Sequence, residues 1–171
     1  MPFTTLDLSK QSGTSLPSSI VTASGLSTGK VAQVENAQST YFVTNSTSFV
    51  DIGLTASITP SATSSKVLVL VNLTGGLKVN VNTSLKARLL RDSSEILMIE
   101  TIGGYTGTTD ECGFGGTSSS YLDSPSSTSS LTYKIQICTA DSGNVTFGTW
   151  QSGSERAKPT ITLMEILAWP K

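Results

Sequence analysis

Hydrophobic and polar residues alternate along much of the chain, and the clearest example lies between Leu131 and Thr139. In this stretch, LTYKIQICT, every second residue from Leu131 to Ile137 is large and the residues between them are polar. This period of two predicts a strand with one buried face. Similar runs recur after residue 38, and the predicted strands are Tyr41–Thr44, Ser48–Leu54, Lys66–Leu73, Leu77–Val81, Leu85–Arg91, Glu95–Thr101, Leu131–Thr139, Asn144–Trp150 and Pro159–Ala168.

Most of the intervals between these runs are short, and they contain the Gly, Asp, Asn, Ser and Pro residues that favour turns. One interval is longer: the stretch from Ile102 to Ser120, IGGYTGTTDECGFGGTSSS, predicts a single Gly-rich loop. Ser and Thr together make up close to a third of the chain, a bias that favours strands and polar turns over helices. The sequence therefore predicts an all-β protein, a two-sheet antiparallel jelly-roll sandwich with an extended N-terminal arm.

Two of the predicted strands, KVLVLVNL and ITLMEILAW, are apolar on both faces. A strand of this kind has to be covered on both sides, either within the sandwich or at a subunit interface. The C-terminal strand would suit a three-fold axis, and oligomerisation would also cover the exposed edges of a sandwich with few surface charges. The residues of the second strand predicted to lie in the core or at the trimer interface are Ile161, Leu163, Met164, Ile166 and Leu167.

The first 38 residues differ in composition from the rest of the chain. Between Lys10 and Lys30 the sequence is rich in Gly, Ser and Thr with isolated apolar residues, a composition that cannot form a packed core. We therefore predict an N-terminal arm over residues 1–38 and a jelly-roll knob over residues 39–171. The residues predicted to anchor the arm to a larger assembly are Phe3, Leu6, Leu8, Leu16, Ile20 and Val21.

The composition excludes several classes of function. The chain has no histidine, which removes Ser-His and Cys-His nucleophiles and every His-containing zinc site. A net charge of −1 with scattered Lys and Arg does not favour nucleic acid, and no apolar run has the roughly 20 residues that a membrane span needs. Two cysteines, Cys112 and Cys138, are too few for a structural zinc site, and their pairing stays open.

No catalytic, metal or cofactor motif emerges from the remaining polar residues. Asp110 and Glu111 could join Asp123 or Asp141 around a calcium ion, but the spacing of a calcium loop is missing. A pair of acids brought together by folding would make a polysaccharide-degrading knob, the one enzymatic alternative. We predict a protein without enzymatic activity, cofactor or metal.

Aromatic residues among Ser, Asn and Gly provide the only candidate contact site. Such rings suit a loop that binds sugars or proteins, but we favour the alternative, in which they cap the core of the sandwich. The residues concerned are Tyr105, Phe114, Tyr121 and Trp150.

Four phrases of the sequence carry a family likeness: MPFTTLDLSKQSGTSLPSSIV, TSFVDIGLTASITPSATSSKVLVLVNL, YLDSPSSTSSLTYKIQI and ITLMEI. They resemble a group of marine phage proteins, of cyanophage and pelagiphage type, described as tail-fibre-like or other virion structural proteins. The resemblance extends over most of the chain. It implies a homotrimeric jelly-roll knob, similar to the tumour-necrosis-factor fold, that is attached to a virion by its N-terminal arm. It supplies no catalytic residue.

The expected function follows from this resemblance and from the absence of a sequence pattern that would build a fibre stalk. A long fibre needs a coiled coil or a repeat, and the chain has neither. We therefore predict a capsid decoration (cement) protein or a short head fibre on the virion surface, made in the cytoplasm of a bacterial host. The alternative is a tail-fibre tip for host attachment. The expected partners are other copies of the chain, a capsid or tail adaptor protein and, for the alternative, a host surface glycan or protein receptor.

Overall fold

The structure is a computed structural model, and it describes residues 30–108, 110–148 and 157–167. These residues form ten strands and no helix. The strands are β1 (Val31–Gln38), β2 (Phe42–Thr44), β3 (Val50–Ile58), β4 (Lys66–Val79), β5 (Leu85–Arg91), β6 (Ser94–Gly103), β7 (Glu111–Asp123), β8 (Leu131–Thr139), β9 (Asn144–Phe147) and β10 (Thr160–Ile166).

The strands form two antiparallel sheets. In sheet A, one edge of β4 pairs with β10 and, further along, with β9, while its other edge pairs with β7. β1 extends this sheet beyond β10, and β2 extends it beyond β9. Sheet B has the order β3-β8-β5-β6.

The strand order identifies a jelly roll. When the short strands β2 and β9 are left out, eight strands remain, and they can be counted from one to eight in chain order. Sheet A then has the order 1-8-3-6 (β1, β10, β4, β7), and sheet B has the order 2-7-4-5 (β3, β8, β5, β6). This order is that of two Greek keys folded into facing sheets. The predicted fold class, an all-β two-sheet antiparallel jelly-roll sandwich, is therefore confirmed.

β4 is longer than the sequence pattern indicated. The pattern predicted two strands, Lys66–Leu73 and Leu77–Val81, with a turn at Gly75 and Gly76, whereas the structure has one strand, Lys66–Val79. The two glycines instead form an irregularity in the pairing of β4 with β7, and Gly75 has a φ of 66°. The predicted turn was wrong because adjacent glycines suit a β-bulge as well as a turn.

The predicted loop from Ile102 to Ser120 was also wrong, because most of it is a strand. β6 continues to Gly103 and β7 begins at Glu111, so the connection between them runs only from residue 104 to residue 110. The hydrophobic pattern did not predict this strand because most residues of β7 are Gly, Ser or Thr, on both faces. Without large side chains at alternate positions, pairing with β4 is the only sign of the strand.

The start of the sandwich also differs from the expected division at residue 39. Residues 31–38, which the sequence placed in the arm, form β1 and pair with β10. β1 lies at the edge of sheet A and buries none of its side chains completely, so no apolar face marks it in the sequence. The predicted anchors all lie outside the described residues, and their role stays a prediction: Phe3, Leu6, Leu8, Leu16, Ile20 and Val21.

The other predicted strands are present, some with different ends. β5 and β8 have the predicted bounds, Leu85–Arg91 and Leu131–Thr139. β3 ends at Ile58 rather than at Leu54. Trp150 and Ala168, the predicted last residues of the strands now numbered β9 and β10, lie outside the described residues.

The core lies between the two sheets and is built from the alternating inward positions of their strands. Tyr133 of β8 and Phe147 of β9 are among its largest fully buried side chains. The aliphatic part comes mainly from Ile52, Leu54, Ile58, Val67, Val69, Val71, Leu73, Leu85, Leu89, Ile135, Ile137, Val145, Ile161 and Leu163.

A buried carboxylate joins the two sheets at one end of the core. Asp123 of β7 accepts two hydrogen bonds from Nη1 of Arg91, at 2.9 and 2.7 Å, and one from the hydroxyl of Tyr133, at 2.6 Å. Arg91 lies on β5 and Tyr133 on β8, so the cluster links sheet A to sheet B. Burial and the bond to Asp123 raise the pKa of Tyr133, which therefore keeps its proton and donates to the carboxylate.

A second buried carboxylate, Glu165, occupies an inward position of β10. Its Oε1 accepts hydrogen bonds from the amide and the hydroxyl of Ser61, at 2.7 and 2.6 Å, and its Oε2 accepts one from Gln33, at 2.7 Å. Burial alone would raise the pKa of Glu165, but these bonds outweigh it and lower the pKa to about 2. The ionised carboxylate thus ties β1 and the β3–β4 connection to the end of the core.

We expect this site to make the fold sensitive to acid. The pKa of Glu165 is lower in the folded chain than its ordinary value of 4.5, so its contribution is complete above pH 4.5 and is lost as the pH falls towards 2. The shift corresponds to about 3 kcal/mol at most. Urea unfolding at pH 6 and pH 3 measures the loss. In Glu165→Gln, which cannot ionise, the loss should be smaller than in the unsubstituted chain, and an equal loss in both would contradict the assignment.

Candidate functional site

The outer face of sheet A carries an uninterrupted apolar row across four strands. Met164 of β10 pairs with Val34 of β1 on one side and with Leu68 of β4 on the other, and Leu68 pairs with Leu122 of β7. The inward neighbours of Leu68 on β4 are buried in the core, so the four side chains of the row point away from it. We call Val34, Met164, Leu68 and Leu122 the apolar row.

Further apolar side chains extend the row in both directions along the strands. Ile166 lies beside it on β10 and pairs with Val31, while Leu70 lies beside it on β4 and pairs with Ser120. Val34 and Leu122 are 53% and 51% exposed. Next to Leu70, the small side chains of residues 118–120 leave a shallow depression. An exposed apolar surface this continuous is typical of an interaction site.

The outer face of sheet B is of the opposite kind. Arg88 forms an ion pair with Glu95, at 2.9 Å, and Lys134 forms one with Asp51, at 3.1 Å. Gln136 connects the two pairs, because it accepts hydrogen bonds from Arg88 and donates one to Asp51. A linked set of charged and amide groups is suited to contact with water, so only the face of sheet A has the character of an interface.

The residues predicted to lie in the core or at the trimer interface fall into two environments, the core and the outer face of sheet A. Ile161 and Leu163 point inward and are fully buried in the core. Met164 and Ile166 are half-buried and belong to the outer face. Leu167 follows the end of β10, and its amide donates a hydrogen bond to the carbonyl of Lys30, at 3.0 Å. The two-sided apolar pattern of ITLMEI thus reflects one core face and one outer face.

The structure also separates the predicted contact aromatics. Tyr105 lies in the β6–β7 connection and is 49% exposed. Phe114 and Tyr121 lie on β7 and pack against the core, where the ring of Phe114 meets that of Phe147 edge-on with centroids 6.1 Å apart. Trp150 lies outside the described residues.

Phe114 explains part of the glycine content near this loop. A Cβ on Gly104 would lie 2.5 Å from its ring, and a Cβ on Gly76 would also overlap it. Both positions need glycine because the ring occupies the space of a side chain, and Gly104 in addition has a φ of 71°. The two glycines therefore leave the space that the ring of Phe114 occupies.

Tyr105 is accompanied by two other exposed apolar residues, Val81 and Ile102, and we call these three residues the loop end. The hydroxyl of Tyr105 donates a hydrogen bond to Oδ1 of Asn82, at 3.4 Å. Below it, the fully buried Lys78 donates hydrogen bonds to the carbonyls of Asn80 and Thr106, at 2.9 and 3.3 Å. Sequence reasoning missed Lys78, since a lysine within a strand is normally assigned to the surface.

The cysteines and several acidic residues have defined surroundings in the described ranges. Nowhere in residues 30–108, 110–148 and 157–167 do three or more Cys, Asp or Glu side chains come close enough to hold a metal ion. Asp123 is bound by Arg91 and Tyr133, and Asp141 accepts hydrogen bonds from Thr83 and Gly143. Cys112 and Cys138 are free thiols. The same ranges contain no helix long and apolar enough to cross a membrane.

Among known proteins, similarity to this chain is found in solved structures. No protein-family model matches the chain, and no curated protein sequence matches it. Among solved structures, the VP2 subviral particle of infectious bursal disease virus is similar over 80% of this chain, with 15% identity and a TM-score of 0.40. The structure of the Gt strain of the same virus is similar over 82%, with 16% identity and a TM-score of 0.35. This chain covers 38% and 39% of those chains, and the fold assignment rests on the strand order instead.

Proposed function

We propose that this chain is a non-enzymatic virion structural protein of a bacteriophage, a homotrimeric jelly-roll knob that docks on the particle through its N-terminal arm. The observation that carries the proposal is the outer face of sheet A, where the apolar row crosses four neighbouring strands, β1, β10, β4 and β7. A monomer would leave this surface in water at a cost of about 25 cal/mol for each Å² of apolar area. Association of copies removes it from water.

The two outer faces together support one orientation in the assembly. Sheet A faces the neighbouring copies, and sheet B, with its linked ion pairs, faces water. In a ring of three identical copies the contacts are heterologous, so the outer face of sheet A on one copy would contact a second surface of its neighbour. A trimer is the ring that the marine phage resemblance implies. The jelly roll is a frequent fold of viral shells, which supports a structural role.

Within the virion we favour capsid decoration or a short head fibre. The chain contains no heptad pattern and no repeat that would build a stalk, so the knob has to lie close to its support. The arm then connects the knob to the shell through Phe3, Leu6 and Leu8.

The loop end supports a second candidate, the tip of a tail fibre that binds a host surface. Val81 lies in the β4–β5 connection, Ile102 near the end of β6 and Tyr105 in the β6–β7 connection. All three are exposed and lie away from the apolar row. An exposed ring beside the amide of Asn82 is suited to a sugar or a protein surface. Copy number separates the two candidates, because decoration requires hundreds of copies for each particle and a tail tip requires a few tens or fewer.

Attachment through the arm can be tested by deleting residues 1–10, which removes Phe3, Leu6 and Leu8 but leaves the sandwich intact. We expect the deleted protein to form the same oligomer and to lose binding to particles that lack the native protein. Co-sedimentation with such particles measures the loss. Replacement of residues 10–15, KQSGTS, by Gly and Ser is the matched control and should bind normally. A deleted protein that still binds would show that the knob itself carries the docking surface.

A further inference from the structure

β7 forms an edge of sheet A whose second half lacks the usual protection, although the pairing of its first half with β4 has two register shifts. Within the described residues it pairs only with β4, and its regular stretch from Thr117 to Asp123 has no bulge. No charged residue and no proline occurs between Cys112 and Leu122. Natural proteins normally protect such an edge with charges, prolines, bulges or a covering segment.

The remaining edges carry those protections. β1 has Glu35 and a register shift, and β3 has Asp51 and a register shift after it. β6 has two glutamates and several register shifts in its pairing with β5. β2 is only three residues long. The second half of β7 therefore differs from the other edges of the two sheets.

The side of the sandwich at β7 is also incompletely closed. β6 and β7 are neighbouring edges of the two sheets, and apolar side chains between them are only partly buried: Ile96, Leu97, Ile99, Phe114 and Tyr121. On the outer face, Leu122 is exposed beside the depression at residues 118–120. One further strand beside β7 would shelter both surfaces and satisfy the backbone groups of the edge.

We propose that residues 18–23 of the same chain, SSIVTA, pair with the edge of β7 as an additional strand of sheet A. This stretch has adjacent β-branched residues, Ile20, Val21 and Thr22, and contains neither charge nor proline. Its length matches the regular part of β7. The paired segment contributes backbone hydrogen bonds, and its alternate side chains cover Leu122 on one face and Tyr121 on the other.

The geometry of sheet A allows the same chain to reach this edge. Val31 pairs with Ile166, which pairs with Lys66, and the neighbouring Val67 pairs with Asp123. The arm therefore enters at the end of the sheet where β7 finishes. From β1 to the far side of β7 is four strand spacings, about 19 Å, and residues 24–30 extend over about 23 Å. In this proposal Ile20 and Val21, predicted as anchors from the sequence, would pair with β7 instead, and Phe3, Leu6 and Leu8 keep the predicted anchoring role.

Hydrogen exchange of the intact chain tests the proposal. The double variant Ile20→Pro/Val21→Pro removes two neighbouring backbone donors, one of which has to face β7 in any register. We expect the exposed amides of residues 117–122 to exchange at least about tenfold faster in this variant than in the unsubstituted chain. The control variant Gln11→Pro/Ser12→Pro, in the arm but outside both residues 18–23 and the predicted anchors, should leave their exchange unchanged.

The alternatives give different results in the same measurement. Rapid exchange of residues 117–122 in the unsubstituted chain, or equal exchange in both double variants, would overturn the proposal. Protection that disappears on dilution of the oligomer would overturn the assignment to the same chain, since the arm of a second copy would then supply the strand. Attachment to particles through Phe3, Leu6 and Leu8 is measured separately, so failure of one proposal leaves the other standing.

Discussion

Replacement of Asp123 by alanine is expected to lower the free energy of unfolding by about 3–5 kcal/mol, because it leaves the guanidinium of Arg91 without its partner at the end of the core. Asp123 is 4% exposed and accepts hydrogen bonds from Arg91, Tyr133 and the amide of Ser124. Its removal also breaks a connection between the two sheets. Chemical unfolding at neutral pH measures the change.

Tyr133→Phe is the matched control for this prediction. It removes only the hydroxyl, while Asp123 keeps its bonds to Arg91 and Ser124. We expect a loss of about 1 kcal/mol, as for a single hydrogen bond. If Asp123→Ala cost no more than Tyr133→Phe, the cluster would not connect the sheets in the way described.

Replacement of Met164 by aspartate is expected to abolish self-association while the fold is retained. Met164 lies in the centre of the apolar row, between Val34 and Leu68, and points away from the core. A carboxylate at this position stays in water in the monomer but would be buried without a partner in the oligomer, at a cost of several kcal/mol. A cost of about 3 kcal/mol already weakens association more than 100-fold.

Ser57→Asp provides the comparison on the opposite surface. Ser57 is exposed on β3 and belongs to the outer face of sheet B. Sedimentation velocity over a range of concentrations should find an oligomer for the unsubstituted chain and for Ser57→Asp, and a monomer for Met164→Asp. An oligomer in all three would exclude the apolar row as the interface, and a monomer in all three would remove the basis for the proposed trimer.

The strands with strong alternation could be predicted from the sequence, and those without it could not. β5 and β8 have the predicted bounds, and β8 shows the clearest alternation, with Leu131, Tyr133, Ile135 and Ile137 on its buried face. β1 and β7 were missed because they are edge strands, and an edge strand of small or polar residues shows no alternation. Register and pairing become visible only when the neighbouring strand is in place.

The candidate site was predictable in part for a similar reason. The two-sided apolar pattern of KVLVLVNL and ITLMEI indicated that β4 and β10 are covered on both faces. It could not show that Leu68 and Met164 lie side by side, since this depends on the pairing of strands almost 100 residues apart. The roles of Phe114 and Lys78 were equally hidden, because each depends on contacts with a distant part of the chain.

The contrast between the two outer faces has a consequence for how the protein responds to its surroundings. Dissolved ions screen the exposed pairs Arg88–Glu95 and Lys134–Asp51, but they do not weaken contacts between apolar side chains. In the proposed assembly, seawater and fresh water would therefore change the electrostatic field around the particle without loosening the contacts inside it. The copies in such an assembly would stay associated over a wide range of salt concentrations. Single charge substitutions on the outer face of sheet B could meanwhile change the charge of the particle surface.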